Sequence, residues 1–227
     1  FAPDASSFAS ALAVLERQRL LDRVPSEVVR YLRNHAVTGE NETVKADAEC
    51  LRLVRHHLLV TNRDACEAAA KRARELGFRV FLVPTPLCGD AQNVGRALAT
   101  LIKSALCPER TLWVLGGETT VTLSDVDQPG RGGRCQEIAL AAALALQGVD
   151  GVALLAAGSD GIDGTTQAAG AFVDGETLRR GAQAGLDARD HLARHDSGSF
   201  FEREGGRFAP GATGTNVMDI VLIARDR

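Results

Sequence analysis

Residues 56–83, HHLLVTNRDACEAAAKRARELGFRVFLV, decide the fold class of this chain. HHLLVT reads as a short apolar strand, RDACEAAAKRARELG as an alanine-rich helix, and FRVFLV as the next strand. Gly77 stands just past the last helical turn, where glycine takes left-handed backbone without a steric penalty and ends the helix. Strand, helix and strand in that order predict a parallel pair joined by a right-handed crossover. GDAQNVGRALATLIKSAL (89–106) predicts a further helix on the same sheet.

Working outward, residues 6–21 set Phe8, Leu12, Leu15, Leu20 and Leu21 at roughly helical spacing. A second helix is expected from Pro25, a residue suited to a first helical turn. The polar, acidic stretch 35–50 reads as a surface loop. Downstream, TLWVLGG (111–117) opens a second unit, and 119–123 alternates as a strand. CQEIALAAALALQ (135–147) is a helix with small side chains on nearly every face, the pattern of burial against a sheet. GVALLAAG (151–158) reads as a buried strand, and 175–185, 189–195 and 197–204 as short helices. NVMDIVLIA (216–224), rich in β-branched residues, closes as a strand. The expected architecture is α/β, in two units meeting near residue 110.

Composition narrows the partners. A net charge of −3 gives no basic face for nucleic acid, and no apolar run reaches the roughly 20 residues that span a bilayer. Five cysteines, odd in number, widely spaced and without a CxxC pair, argue against a disulfide framework or a zinc site. They point to a reducing cytoplasm. With aromatics at only 4%, aliphatic and alanine side chains must fill the core. The only methionine is Met218 and residue 1 is Phe, so truncation ahead of Phe1 is expected, and no signal peptide is visible.

Chemistry concentrates in three glycine-rich loops between Leu115 and Gly170: LGGETTV, GRGGRCQE and AAGSDGIDGTTQAAGA. GRGGRCQE puts Arg131, Gly132, Gly133 and Arg134 at a predicted helix start, where free N–H groups favour an anion and arginine offers a bidentate fork. The loop fails as a dinucleotide fingerprint. Its sixth position is Cys135, the preceding strand ends too early, and Asp150 precedes a strand instead of ending one. There is no P-loop pattern either.

GSDGIDG follows a strand, and ligands of α/β sheets gather beyond strand carboxyl ends. Asp160 and Asp163 suit Mg²⁺ or a base toward a hydroxyl; the alternative is plain turn chemistry. Glu118, beside Thr119 and Thr120, is either a site acid or part of a hairpin turn. Thr213, Thr215 and Asn216 offer hydroxyl and amide groups to a ligand or to their own backbone. Asp196 and Ser197 read as a helix cap, and Asn62 and Arg63 as contacts at a strand end. No histidine pairs with an acid or cysteine at ligand spacing, so none is given a role.

GGETTV, GRGGRCQE, AAGSDGIDG, AAGAFVD and the closing TGTNVMDI, in this order, resemble the C-terminal, MOFRL-like domain of the glycerate 2-kinases, also labelled hydroxypyruvate reductases. HHLLVTNRDACEAA and CGDAQNVGRAL are similar to the end of that family's larger N-terminal domain. The resemblance implies the end of a Rossmann-like parallel-sheet domain over 1–110 and a smaller α/β domain over 111–227. It departs at Cys135, where the family usually has asparagine. The family's catalytic lysine and glycine-serine loop precede the region matched, so this stretch is expected to hold part of a site and to be inactive alone.

The implied activity is ATP-dependent phosphorylation of D-glycerate at its 2-hydroxyl, with ATP and Mg²⁺. Arg134 then stabilises the transferring phosphate or holds the glycerate carboxylate. Glu118, Asp160 and Asp163 are candidates for Mg²⁺ or the substrate hydroxyl. The working assignment puts Arg134 and Asp163 in the catalytic set and Glu118 and Asp160 on the metal. Arg131, Gly132, Gly133, Thr119, Thr215 and Asn216 bind substrate or phosphate. The expected partners are glycerate and a second copy of the chain, with neither nucleic acid nor membrane. The rivals are reduction of hydroxypyruvate with NAD(P)H, which needs a dinucleotide loop from outside this chain, and a non-catalytic sugar-acid or nucleotide sensor.

Overall fold

Helix α1 (Phe8–Arg17) starts where Ser7 and Ser10 form a reciprocal capping box, which satisfies two of the amides a helix start leaves without partners. Helix α2 (Ser26–Thr38) follows Pro25 and stops at Gly39, whose φ of +69° is the left-handed stop. Tyr31 and His35, one turn apart on α2, stack at 3.9 Å, with Phe8 edge-on to Tyr31. The expected loop therefore begins only after α2, and holds a short 3₁₀ turn at Glu49–Leu53. These elements make the first of two units, residues 1–58; the second is 59–227. The structure is a computed structural model that describes residues 2–104, 110–123 and 128–226.

In the second unit, α3 (Asn62–Glu75) is capped by Thr61 with Asp64. Then come β1 (Arg79–Leu82), α4 (Ala91–Ser104), β2 (Thr111–Gly117), α5 (Arg134–Leu146) and β3 (Val152–Gly158). After β4 (Gly170–Asp174), three short helices follow: α6 (Thr177–Gln183), α7 (Ala188–Ala193) and α8 (Ser197–Glu204). The chain closes with β5 (Arg207–Phe208) and β6 (Asp219–Arg225). The strands form one sheet in the order β1-β2-β6-β3-β4-β5. β1 and β2 are parallel, joined through α4, and every other neighbouring pair is antiparallel. The sheet runs across residue 110, with Arg79 opposite Thr111 in register.

Three expectations change. HHLLVT is not a strand: Leu58 and Leu59 are 87% and 90% exposed, because a strand needs a ladder and β1 pairs only with β2 among the described residues. The parallel crossover is therefore β1-α4-β2. Residues 119–123 make a single bridge, Asp90 to Thr120, instead of a strand. The last strand begins at Asp219, since Met218 at φ +66° breaks the extended run. Two strands come in addition, β4 from AAGAFVD and the two-residue β5.

Strand alternation sends side chains to two helical layers. Trp113, Leu115, Val221 and Ile223 face a core shared with α4 and α5. Leu112, Val114, Ile220 and Leu222 face α3 through Cys66 and Ala70. Burying each large aliphatic residue contributes about 1.5–3 kcal/mol. Helix α5 is buried at every position from Cys135 to Ala143, which is why its side chains are small. At its tightest point α4 meets α5 through Gly95, where a Cβ would lie 2.3 Å from the Ile138 carbonyl oxygen.

Candidate active site

The sheet topology brings three loops together. β2 and β3 are both antiparallel to β6, so they run the same way and end on the same edge. Asp219, the first residue of β6, lies in register between Gly117 and Gly158. Asn62 at the start of α3 secures this point by donating its amide to the carbonyls of Val217 and Asp219, at 2.7 and 3.0 Å.

Onto Asp219 closes Arg134, from the first turn of α5. Its Nε is 2.5 Å from Oδ2 and its Nη2 2.9 Å from Oδ1, a bidentate fork. The same Nη2 lies 3.1 Å from Glu118 Oε1, just past β2. Asp219 is 2% exposed, while the Arg134 side chain keeps a third of its surface open. The Asp219 hydrogen bond raises the Arg134 pKa further above its ordinary value, so the guanidinium is a permanent, aimed charge.

Arg134 opens onto a cleft of about 740 Å³, lined by Glu118 to Val121, Leu123, Pro129, Gly130, Gly132, Gly133, Glu137, Gly164, Thr165 and His195. Thr119, buried at 3%, turns a hydroxyl that has no partner among the described residues. Glu137 lies along one wall. Its Oε1 is 2.7 Å from His195 Nδ1 and its Oε2 accepts from Gln92 at 3.1 Å.

The helix start works differently from the sequence expectation. The amides of Cys135 and Gln136 are not free; they donate to Asp163 Oδ1 and Oδ2 at 3.1 and 2.9 Å. The anion at the N-terminus of α5 is the protein's own carboxylate, and it lies so close to Gly133 that a Cβ there would be 2.3 Å from Oδ1. Gln136 Nε2 adds a third bond to Oδ2 at 2.9 Å and reaches Thr166 as well. Burial raises the Asp163 pKa above the usual carboxylate value, against the pull of the Gln136 and Cys135 hydrogen bonds. At 3% exposure Asp163 stands behind the cleft wall.

Of the residues singled out from sequence, Glu118, Thr119, Gly132, Gly133 and Arg134 line the cleft. Arg131 does not; its guanidinium turns to Glu202 on α8 at 3.3 Å. Asp160 closes its own turn by accepting from the Ile162 amide, and binds Asn216 Nδ2 at 3.2 Å, so those two loops do meet. Thr215 is exposed, its amide directed at Thr213 Oγ1. Arg63 pairs with Glu67 on the surface of α3. Among the described residues no group of three or more His, Cys, Asp or Glu is arranged to hold a metal.

Three residues escaped the sequence reading. Asp219 lay in a quoted motif with no property that marked it. Glu137 and His195 are 58 residues apart, so no local spacing reveals the pair, and a histidine given no role from the sequence meets an acid in the fold. His191 likewise meets Asp196, at 3.0 Å.

Residues 111–219 match the MOFRL family. A D-glycerate 2-kinase from Thermotoga maritima is 36% identical over 225 residues, covering 97% of this chain and 50% of that protein. A glycerate 2-kinase from Pyrococcus horikoshii is 35% identical over 225 residues, with 96% and 50% covered. The crystal structure of a glycerate kinase from Thermotoga maritima superposes with a TM-score of 0.73 at 34% identity, over 98% of this chain and 51% of that one. The chain thus spans about half the length of the curated relatives it matches.

Proposed function

We propose, from the match of residues 111–219 to the MOFRL family and the similarity of nearly the whole chain to glycerate 2-kinases, that the chain supplies one wall of a site that phosphorylates D-glycerate at the 2-hydroxyl. The observation that carries the proposal is Arg134, forked onto buried Asp219 where β2, β3 and β6 converge, and still open to the cleft. Phosphoryl transfer needs positioning and charge neutralisation more than covalent chemistry from the protein. A guanidinium held by a rigid, buried partner provides both at no reorganisation cost during the reaction.

In this reading Arg134 stabilises the transferring phosphoryl group or holds the glycerate carboxylate. Gly132 and Gly133 let a phosphate approach the backbone, and Thr119 offers its unpaired hydroxyl. Asp163 acts from behind, fixing the first turn of α5 and with it the direction of Arg134. Arg131, Thr215 and Asn216, which lie off the cleft, serve the loops that frame it.

ATP is the proposed donor and Mg²⁺ the proposed metal. The donor set fits: Mg²⁺ is commonly held by one or two carboxylates together with substrate phosphates and waters, not by an all-protein cage. Glu118 on the cleft and Asp160 on the adjoining loop supply hard oxygen ligands of that kind. When bound, the metal neutralises charge on the phosphates. The division at residue 110, a cytoplasmic location and a homodimer are carried as parts of the same proposal, resting on the family resemblance and the cysteine pattern. No helix among the described residues is long and apolar enough to cross a membrane.

Product analysis on the full-length enzyme tests the reading. D-glycerate, ATP and Mg²⁺ are expected to yield 2-phosphoglycerate, while hydroxypyruvate with NADH and NADPH leaves both nucleotides reduced. Nucleotide oxidation without phosphorylation would overturn it in favour of the reductase, and tight binding without turnover in favour of a sensor.

A further inference from the structure

We infer that His195, held by Glu137, is the group that takes the proton from the substrate hydroxyl in this cleft; the inference rests on the kinase reading above. Two independent observations point to it.

The first is the pairing. His195 Nδ1 lies 2.7 Å from Glu137 Oε1, and the two side chains are 13% and 3% exposed. Gln92 holds the other Glu137 oxygen at 3.1 Å while also donating to the Leu192 carbonyl at 3.2 Å. A carboxylate accepting from Nδ1–H fixes the ring's tautomer and orientation, leaving Nε2 as the atom that exchanges a proton. Both residues line the cleft that Arg134 enters. A base whose orientation is set by a third group is the arrangement proton abstraction requires.

The second is the backbone. Helix α7 ends in a complete Schellman motif, with the Asp196 amide bonded to the His191 carbonyl at 2.8 Å and the His195 amide to Leu192 at 3.2 Å. His195 occupies the left-handed position of that motif at φ +53°, where glycine or asparagine is the economical residue. Histidine tolerates this backbone better than most residues, and the turn fixes the ring at the cleft wall.

The acceptor's O–H bond breaks and its proton passes to His195 Nε2. The freed oxygen pair forms the new bond to the γ-phosphorus of the nucleoside triphosphate. The bond from that phosphorus to the bridging oxygen breaks, and its electron pair leaves on the nucleoside diphosphate. Glu137 from α5 is paired with the imidazole, Arg134 from α5 and Glu118 from the end of β2 line the same cleft, and Arg194 and Asp196 flank the ring in sequence and pair with each other at 3.8 Å.

The test is His195→Asn in the full-length enzyme. Asparagine suits the left-handed backbone and retains a donor toward Glu137, so the fold is expected to keep its thermal midpoint. The expected result is a kcat reduced about 10²–10⁴-fold with KM within a few-fold, and loss of one limb of the pH–kcat profile. Glu137→Gln should give a smaller fall in kcat and a displaced limb. A variant with wild-type kcat, a change confined to KM, or a lowered kcat with the pH profile intact overturns the role of base. Wild-type enzyme that transfers no phosphate to glycerate overturns the kinase reading and this role together; active wild-type and equally active His195→Asn overturn this role alone.

Discussion

Replacing Asp163 by alanine tests whether one buried carboxylate organises the whole α5 side of the cleft. It removes the acceptor of the Cys135 and Gln136 amides and one of three acceptors of the Gln136 side chain. The side-chain amide keeps Thr166 Oγ1 at 2.9 Å, so two buried backbone donors are left without partners. Each costs about 1–3 kcal/mol, an expected loss of roughly 2–6 kcal/mol, centred near 4. For a domain of this size that lowers Tm by roughly 8–16 °C. Asp163→Asn keeps one acceptor and turns an amide against a donor, so about 1–3 kcal/mol is expected.

The pH dependence separates capping from charge. Burial holds the Asp163 pKa above its ordinary 3.8, so the folded state binds the proton more tightly than the unfolded chain. Stability owed to this group is full below 3.8 and declines as pH rises through the folded value. The advantage of wild type over Asp163→Asn should therefore narrow with rising pH over that window. Denaturant unfolding of all three proteins, with hydrogen exchange at Cys135 and Gln136, supplies the measurement. An alanine variant within 1 kcal/mol of wild type that keeps both amides protected would refute the capping argument, whereas a gap that widens with pH would show that the capping hydrogen bonds outweigh burial at Asp163.

Arg134→Lys retains the charge but loses the fork on Asp219, and kcat/KM of the full-length enzyme should fall about 10²–10³-fold, with the fold intact; near-normal kinetics removes Arg134 from the site. Arg134→Ala also strands buried Asp219, and with the arginine one-third open to solvent the cost should be about 2–4 kcal/mol in urea unfolding. Gly95→Ala gains about 1 kcal/mol of helix propensity, but its methyl meets a backbone oxygen at 2.3 Å and overpacking costs about 1–3 kcal/mol. A net destabilisation is expected, and a raised urea midpoint would contradict the packing. Burial first, then the negative charges of Asp163 and Asp219, push the Cys135 thiol far up. Iodoacetamide should accordingly label exposed Cys50 and Cys88 while Cys135 stays unmodified until the protein unfolds; equal labelling in native protein would disprove its burial.

The helices were legible in the sequence because their signals are local: Gly77 just past α3, and small side chains on nearly every face of α5. The buried strands TLWVLGG and VALLAAG announced themselves by short apolar runs. The loops of the site were legible too, since glycine beside acids and arginine is a compositional mark. What failed was pairing. HHLLVT has the composition of a strand, but composition does not supply the neighbour a ladder needs. The two-residue β5 is too short to carry any periodicity.

The roles within the site were decided by tertiary structure alone. Asp160 and Asp163 stand three residues apart in the same loop with the same side chain, and sequence gave no ground for separating them. The fold buries Asp163 under the first turn of α5 and leaves Asp160 at its own turn beside Asn216. Arg131 and Arg134 stand in one loop and were both expected at the site, Arg131 binding phosphate and Arg134 in the catalytic set, but α8 takes the first and Asp219 the second. A sequence determines which groups are available and which local conformations they favour, through short-range sterics and hydrogen bonding. Which charge meets which partner depends on strand order and register, as when β6 sets Asp219 between the ends of β2 and β3, and only the folded chain brings such distant residues within reach.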